Sequence, residues 1–111
     1  MSDEYTIKVK FWIEKKGVSI LGPGRLAILE AIDKTSSLTK ATKKCNISFR
    51  KGWKLINQIN EQLDQPIVIS ERGGKGGGGQ TTLTEYGKKL ILQYKQIQRA
   101  FEKIIRDSDI L

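Results

Sequence analysis

The sequence has 111 residues, of which 38% are hydrophobic and 29% are charged. This length suits one compact domain, and the composition is that of a globular protein and not of a disordered or membrane-spanning chain. The formal net charge is +8 and there is no histidine, which removes the commonest general base and the commonest metal ligand. We therefore expect no enzyme, no metal site and no cofactor.

The N-terminus indicates the cytoplasm, and the single cysteine excludes a disulfide within the chain. Residues 1–4 are acidic in part and precede a charged segment, whereas a secretory signal begins with basic residues followed by an apolar stretch. Cys45 is the only cysteine, so no disulfide can form within the chain. Its place at the end of a predicted short helix favours a buried thiol over a redox sensor. We expect a cytoplasmic protein.

The first elements predicted in chain order are a strand and a helix. Residues 7–14 alternate apolar and polar side chains, which predicts a strand with one buried face. Gly17 predicts a turn after this strand. Residues 22–24, Gly-Pro-Gly, then break the chain before a helical pattern of apolar residues. The first helix is expected from about Pro23 to Lys34.

A short helix, a tight turn and a second helix are predicted next. Thr39 is well placed to cap a short helix over residues 40–45, because its hydroxyl can accept from an exposed backbone amide. Asn46 tolerates the left-handed conformation that ends a helix sharply. Ser48 can cap the following helix. The spacing is typical of a helix-turn-helix.

The second of these helices is predicted to have an apolar and a basic face. Four residues are predicted to face the core, namely Phe49, Trp53, Ile56 and Asn60. Between residues 34 and 60 every charged side chain is positive. These seven are Lys34, Lys40, Lys43, Lys44, Arg50, Lys51 and Lys54. Such a field attracts polyanions, although a solvated lysine-rich face is the ordinary alternative.

The end of the sequence predicts a β-hairpin followed by a long helix. Residues 67–69 and 81–84 are predicted strands, joined by a glycine-rich loop over residues 73–80. A heptad pattern begins after Glu85, and its members are Leu90, Tyr94, Ile97, Phe101 and Ile104. This stripe can fold back on its own domain or pair with a second copy, and we favour a dimer.

The glycine-rich loop also matches a nucleotide-binding pattern. Residues 74–79 fit the spacing G-x-G-x-x-G. That fingerprint requires a helix immediately afterwards, so that backbone amides meet the pyrophosphate, whereas a threonine-rich strand is predicted here. An enzyme that uses this loop for a nucleotide therefore ranks last among the hypotheses.

Together these elements predict a mainly α fold with a small β hairpin or sheet, of the α+β class. The arrangement is a winged helix-turn-helix with a long C-terminal dimerisation helix. We expect a single domain over residues 1–111, with a core over 1–84 that includes the wing at 73–80, and a dimerisation helix over 85–111. In such motifs the second helix enters the major groove of DNA.

The sequence resembles the N-terminal DNA-binding domain of ModE-type molybdate-responsive regulators. The segments that carry this resemblance are 24–25 (GR), 37–41 (SLTKA), 47–53 (ISFRKGW), 73–74 (GG), 76–78 (GGG) and 83–87 (LTEYG). The helix-turn-helix segment is also similar to that of LysR-type regulators. The resemblance implies a prokaryotic winged helix protein that dimerises through its last helix on a two-fold operator. Because that family senses molybdate or tungstate in a separate C-terminal domain and this sequence ends at Leu111, neither ligand is expected.

The predicted function is sequence-specific binding of double-stranded DNA by a homodimeric transcription regulator. Residues expected to contact bases and nearby phosphates are Ser48, Arg50, Lys51 and Lys54. Residues expected to hold the DNA backbone are Lys40, Lys43, Lys44, Arg72 and Lys75. The alternative is a protein-interaction or dimerisation module whose basic face contacts an acidic partner.

Overall fold

The computed structural model describes residues 4–71 and 80–109. In these ranges it contains four helices and two antiparallel two-stranded sheets. The elements in chain order are β1 (Ile13–Lys15), β2 (Val18–Leu21), α1 (Pro23–Thr35), α2 (Leu38–Lys44), α3 (Phe49–Gln62), β3 (Val68–Glu71), β4 (Gln80–Leu83) and α4 (Glu85–Arg106). The prediction of a mainly α, α+β fold with a long C-terminal helix is confirmed. No helix in the described part of the chain is long and apolar enough to cross a membrane.

The N-terminal segment forms less strand than its alternating pattern predicts. Only Ile13–Lys15 pairs as a strand, with β2 as its partner across a turn at Lys16 and Gly17. The preceding residues instead run against α4, where Phe11 stacks on Tyr94 with ring centroids 4.3 Å apart. The predicted strand over residues 7–14 was therefore right at Ile13 and Glu14 and wrong over residues 7–12, because the apolar partner of that part is a helix and not a sheet.

Helix α1 lies at the centre of the core. Its buried residues include Leu29 and Ile32, which are fully inaccessible to solvent. The helix ends at Ser36, which adopts a left-handed conformation and donates its backbone N–H to the Ile32 carbonyl. The first helix thus ends one residue later than predicted, and the connection to α2 is a tight turn.

Helix α2 begins two residues earlier than the sequence predicted. Ser37 is extended, and its side-chain oxygen accepts from the backbone N–H of Lys40 at 3.1 Å. Ser37 is therefore the N-cap, and Thr39 already lies within the helix. The prediction of Thr39 as the cap was wrong because either hydroxyl suits the role, and only the backbone conformation decides between them.

The second hairpin is fixed to the helices at its base. Strands β3 and β4 pair with Val68 opposite Leu83. Asn60 at the end of α3 accepts from the N–H of Ile67 at 2.9 Å and donates to the carbonyl of Val68 at 3.0 Å. The N–H of Thr81 donates to the Ser36 carbonyl at 3.1 Å. These bonds set the position of the hairpin relative to α1 and α3.

Helix α4 starts where the hairpin ends. The Thr84 hydroxyl accepts from the N–H of Gly87 and donates to the carbonyl of Pro66. A Cβ at position 87 would overlap the Ile67 carbonyl, so only glycine allows α4 to pack this closely on the start of the hairpin. In the motif Leu-Thr-x-x-Gly, the threonine therefore caps α4 and the glycine allows the close contact between α4 and the hairpin.

Candidate nucleic-acid interface

The turn between α2 and α3 has the conformation that the sequence predicted. Asn46 has a φ of +57°, in the left-handed region, which asparagine tolerates better than most residues. Hydrogen bonds close the turn, from the N–H of Asn46 to the Lys43 carbonyl at 3.1 Å and from Ile47 to Thr42 at 3.0 Å. The side chain of Ser48 then caps α3 by accepting from the N–H of Lys51 at 3.1 Å.

The crossing of α2 and α3 depends on Gly52. This residue is buried, and a Cβ built on it would overlap the Cγ2 atom of Thr42. The Thr42 hydroxyl donates within α2, to the carbonyls of Leu38 at 2.9 Å and Thr39 at 3.0 Å, so the buried polar group is satisfied. The absence of a side chain at position 52 therefore lets the two helices approach closely.

The basic residues predicted to bind DNA are exposed on α2 and α3. The exposed residues are Lys40, Lys43, Lys44, Ser48, Arg50, Lys51 and Lys54. Within residues 4–71 and 80–109, none of the six cationic side chains forms an ion pair or hydrogen bond. Lys15 and Lys95 elsewhere do, to Asp64 at 3.2 Å and Glu30 at 2.5 Å. The charges of α2 and α3 thus remain free to meet an anion.

These cations do not all share one direction. Arg50 and Lys54 are four residues apart and lie on one row of α3. Lys44 and Lys51 instead line an open groove of about 610 Å³ between α1 and the start of α3. Arg50 and Lys54 thus form one exposed row on α3, whereas Lys44 of α2 and Lys51 of α3 lie along the groove.

The core-facing side of α3 differs from the prediction. The buried residues of this helix are Gly52, Ile56 and Ile59. Phe49 and Trp53 are 52% and 56% exposed. The prediction that both aromatic side chains face inward, and that Trp53 is a core residue, was therefore wrong. Gly52 has no side chain to mark the buried face, so its place in the helix pattern gave no signal.

Asn60 is a positioning residue that the sequence did not reveal. It was predicted to face inward and is partly buried, but its role is to bond both backbone groups at the start of the hairpin. The one available signal in the sequence was an amide side chain near the end of a predicted helix. The wing residues Arg72 and Lys75, and the loop at 73–79, lie outside the described residues.

The five residues of the predicted dimer seam divide into two groups. Tyr94 is 1% exposed, and its hydroxyl donates to the Phe11 carbonyl at 2.9 Å. Burial raises the pKa of the Tyr94 phenol above 10.0. Phe101 contacts the Phe11 ring and Leu90 packs against the core. Ile97 and Ile104 are 43% and 61% exposed, so these two remain available to a partner.

Neither Cys45 nor the acidic side chains of residues 4–71 and 80–109 belong to a cluster of possible metal ligands. Cys45 is partly buried against the core. Across the described ranges, no three histidine, cysteine, aspartate or glutamate side chains gather as metal ligands.

No family model matches the chain. Several curated proteins are similar to it in sequence, and most of those are named ModE. The transcriptional regulator ModE of Yersinia pestis is 38% identical over 90 residues, covering 78% of this chain and 34% of that protein. The DNA-binding transcriptional dual regulator ModE of Escherichia coli K12 is 36% identical over 92 residues, covering 80% and 35%. The molybdenum-pterin-binding protein MopB of Rhodobacter capsulatus is 34% identical over 93 residues, covering 84% and 34%.

The chain spans about one third of the length of the curated relatives it matches. The ModE relatives are named as transcriptional regulators and not as enzymes. The resemblance inferred from the helix-turn-helix, the glycine-rich segment and the Leu-Thr-x-x-Gly motif is thereby confirmed. The chain is a homologue of the ModE-type transcriptional regulators, equivalent to about one third of such a protein.

Proposed function

We propose that this chain binds double-stranded DNA in a sequence-specific manner and regulates transcription. The observation that carries the proposal is the set of six exposed, unpaired cations on α2 and α3 within the described residues. These cations belong to the two helices of a tight helix-turn-helix, whose second helix is capped by Ser48. The Escherichia coli relative is named as DNA-binding, which supports the same function.

The roles of the cations follow from their positions. The first turns of the second helix in such motifs reach the base edges, so Ser48, Arg50, Lys51 and Lys54 are the candidates for base and nearby phosphate contacts. Arginine can bond two acceptors of guanine at once. The cations on α2 are Lys40, Lys43 and Lys44, and with the wing residues Arg72 and Lys75 they are assigned to the DNA backbone.

The proposal includes a homodimer that binds a two-fold site. Ile97 and Ile104 lie seven residues apart on α4, and their exposure leaves an apolar edge beside the buried face of that helix. Pairing through this edge would present two α3 helices to successive major grooves, about 34 Å apart. Residues 1–84 would then act as the DNA-binding unit and residues 85–111 as the dimerisation helix.

The proposal assigns neither molybdate, tungstate nor a pterin to this chain. The printed name of the Rhodobacter relative refers to molybdenum-pterin binding, but the match covers only 34% of that protein. The anion-binding features described above are instead spread over two helices, which fits a polyanion.

Selection of duplexes from a random pool tests the proposal directly. The chain should retard duplex DNA in a mobility-shift assay at physiological salt, and repeated selection should enrich a palindromic sequence. Weak retardation without enrichment would contradict sequence-specific binding. No retardation would favour the alternative, an interaction module whose basic face binds an acidic protein.

A further inference from the structure

Phe49 and Trp53 form an exposed aromatic row on α3. They are 52% and 56% exposed and lie four residues apart, so their side chains occupy adjacent turns of one helix face. Single exposed apolar side chains are ordinary, but neighbouring large ones mark a contact surface. The row is therefore a candidate for contact with a ligand.

The fold does not use this row. Helix α3 packs on the core through Gly52, Ile56 and Ile59, which lie to one side of the aromatic residues. Among the described residues, the indole N–H of Trp53 has no hydrogen-bond partner, whereas that of Trp12 donates to Glu14 at 2.6 Å. Buried tryptophans usually have such a partner. Trp53 is thus a surface residue and not a displaced core residue.

The aromatic row lies beside the basic row of the same helix. Arg50 and Lys54 follow Phe49 and Trp53 by one position each, so the basic row lies about 100° around the helix axis from the aromatic row, and both rows are exposed. Neither cation is paired with another described residue. An occupant must therefore offer both anionic and apolar groups within the width of one helix, and the DNA major groove does so.

The apolar group that the major groove offers is the 5-methyl of thymine, which apolar side chains contact. We propose that Phe49 and Trp53 pack against thymine methyl groups next to the bases contacted by Arg50, and so select thymine at defined positions of the site. This inference rests on the proposed function, because it names a further feature of the DNA that the same helix reads.

Replacement of single thymines by deoxyuridine tests this inference. The substitution removes only the methyl group, and the probe is the duplex enriched by selection from a random pool. At one or more positions of each half-site, the dissociation constant should rise about fourfold, as expected for one buried methyl group. If deoxyuridine is tolerated at every position, the inference is overturned.

Variants of the row identify the side chain responsible. In Trp53→Ala or Phe49→Ala, thymine and deoxyuridine duplexes should bind equally at the position that the residue reads, because the methyl contact is gone. Leu92→Ala is the control, since Leu92 is 51% exposed on α4 and should retain the full deoxyuridine effect. An unchanged effect in both aromatic variants would assign the methyl contact elsewhere and overturn the inference.

A fluorescence measurement on folded protein provides a second readout. The chain has two tryptophans, so Trp12→Phe leaves Trp53 as the only reporter and Trp53→Phe leaves Trp12. The selected duplex should change the emission of Trp53 and leave that of Trp12 unaltered. Sequence-selective binding without a change at Trp53 would overturn its part in the inference and leave the proposed function intact. A lack of any selected sequence would overturn both.

Discussion

Gly52 is the residue on which the geometry of the recognition region most depends. Glycine within a helix costs about 1 kcal/mol relative to alanine, so its presence requires a compensating contact. The structure supplies one, because the Thr42 methyl group occupies the space that a Cβ would need. The helix and its cap are predictable from the sequence but this contact is not, since glycine has no side chain to indicate a direction.

Gly52→Ala should destabilise the protein by about 1–2 kcal/mol, because the strain of overpacking outweighs the gain in helix propensity. Urea unfolding measures the change. Thr42→Ser removes the opposing methyl group but keeps the hydroxyl, so Gly52→Ala should cost less in that background.

Gly24→Ala is the matched control for this prediction. A Cβ at position 24 meets no atom within 4 Å in the described structure, and the residue lies in helix α1. This variant should therefore gain up to about 1 kcal/mol of stability. If Gly52→Ala is stabilised to the same degree, the helix crossing is looser than described.

Local patterns predicted the positions of the helices well and their buried faces less well. The left-handed Asn46, the Ser48 cap and the start of α4 depend on neighbouring residues, and all were found from the sequence. The predicted buried face of α3 differs from the observed one by a rotation of roughly 60° around the helix axis. Phe49 and Trp53 have the spacing of a core stripe, and only the packing of α2 against Gly52 shows that they are outside it.

The two N-terminal strands depended on contacts that local patterns do not contain, whereas β3 and β4 overlap the strands predicted over residues 67–69 and 81–84. The segment before β1 has the alternation of a strand, but Phe11 packs on Tyr94, 83 residues away in the chain. β2 was not predicted, because its burial results from contact with α1 and α3 and not from an alternating pattern. Long-range contacts therefore determine the structure of these two segments, which local sequence patterns could not predict.

Asn60→Ala should lower the free energy of unfolding by about 2 kcal/mol, since it removes two hydrogen bonds and leaves the Ile67 N–H and Val68 carbonyl unpaired. Urea unfolding measures this loss. Asn57→Ala is the control on the same helix, because the Asn57 amide bonds only the Trp53 carbonyl within α3. Equal losses in the two variants would refute the role of Asn60 in fixing the hairpin.

The exposed edge of α4 gives a separate prediction. Replacing Ile97 and Ile104 together by glutamate should raise the dimer dissociation constant by on the order of thirtyfold or more, because charge replaces apolar contact at the interface. Sedimentation equilibrium measures this dissociation constant. Leu92→Glu, on the opposite side of the same helix, should dimerise normally. A double variant that dimerises as well as the parent chain would place the interface elsewhere.

For the protein as a whole, net charge gives the clearest expectation. The net charge is +8, and six unpaired cations of the described residues lie on the neighbouring helices α2 and α3. If they neutralise phosphates, affinity for duplex DNA should fall on the order of a thousandfold between about 50 and 200 mM salt. Fluorescence anisotropy at several salt concentrations measures the slope, and a flat slope would contradict phosphate contact.

Sequence selectivity of the Arg50→Ala variant tests most directly whether α3 reads DNA. The ratio of affinities for the selected duplex and a scrambled duplex should fall about five- to 150-fold, because one arginine contact to a base contributes roughly 1–3 kcal/mol of discrimination. Lys103→Ala, an exposed cation in the last turn of α4, should leave the ratio unchanged. An unchanged ratio in Arg50→Ala, with both affinities lowered equally, would contradict base reading by this face of α3.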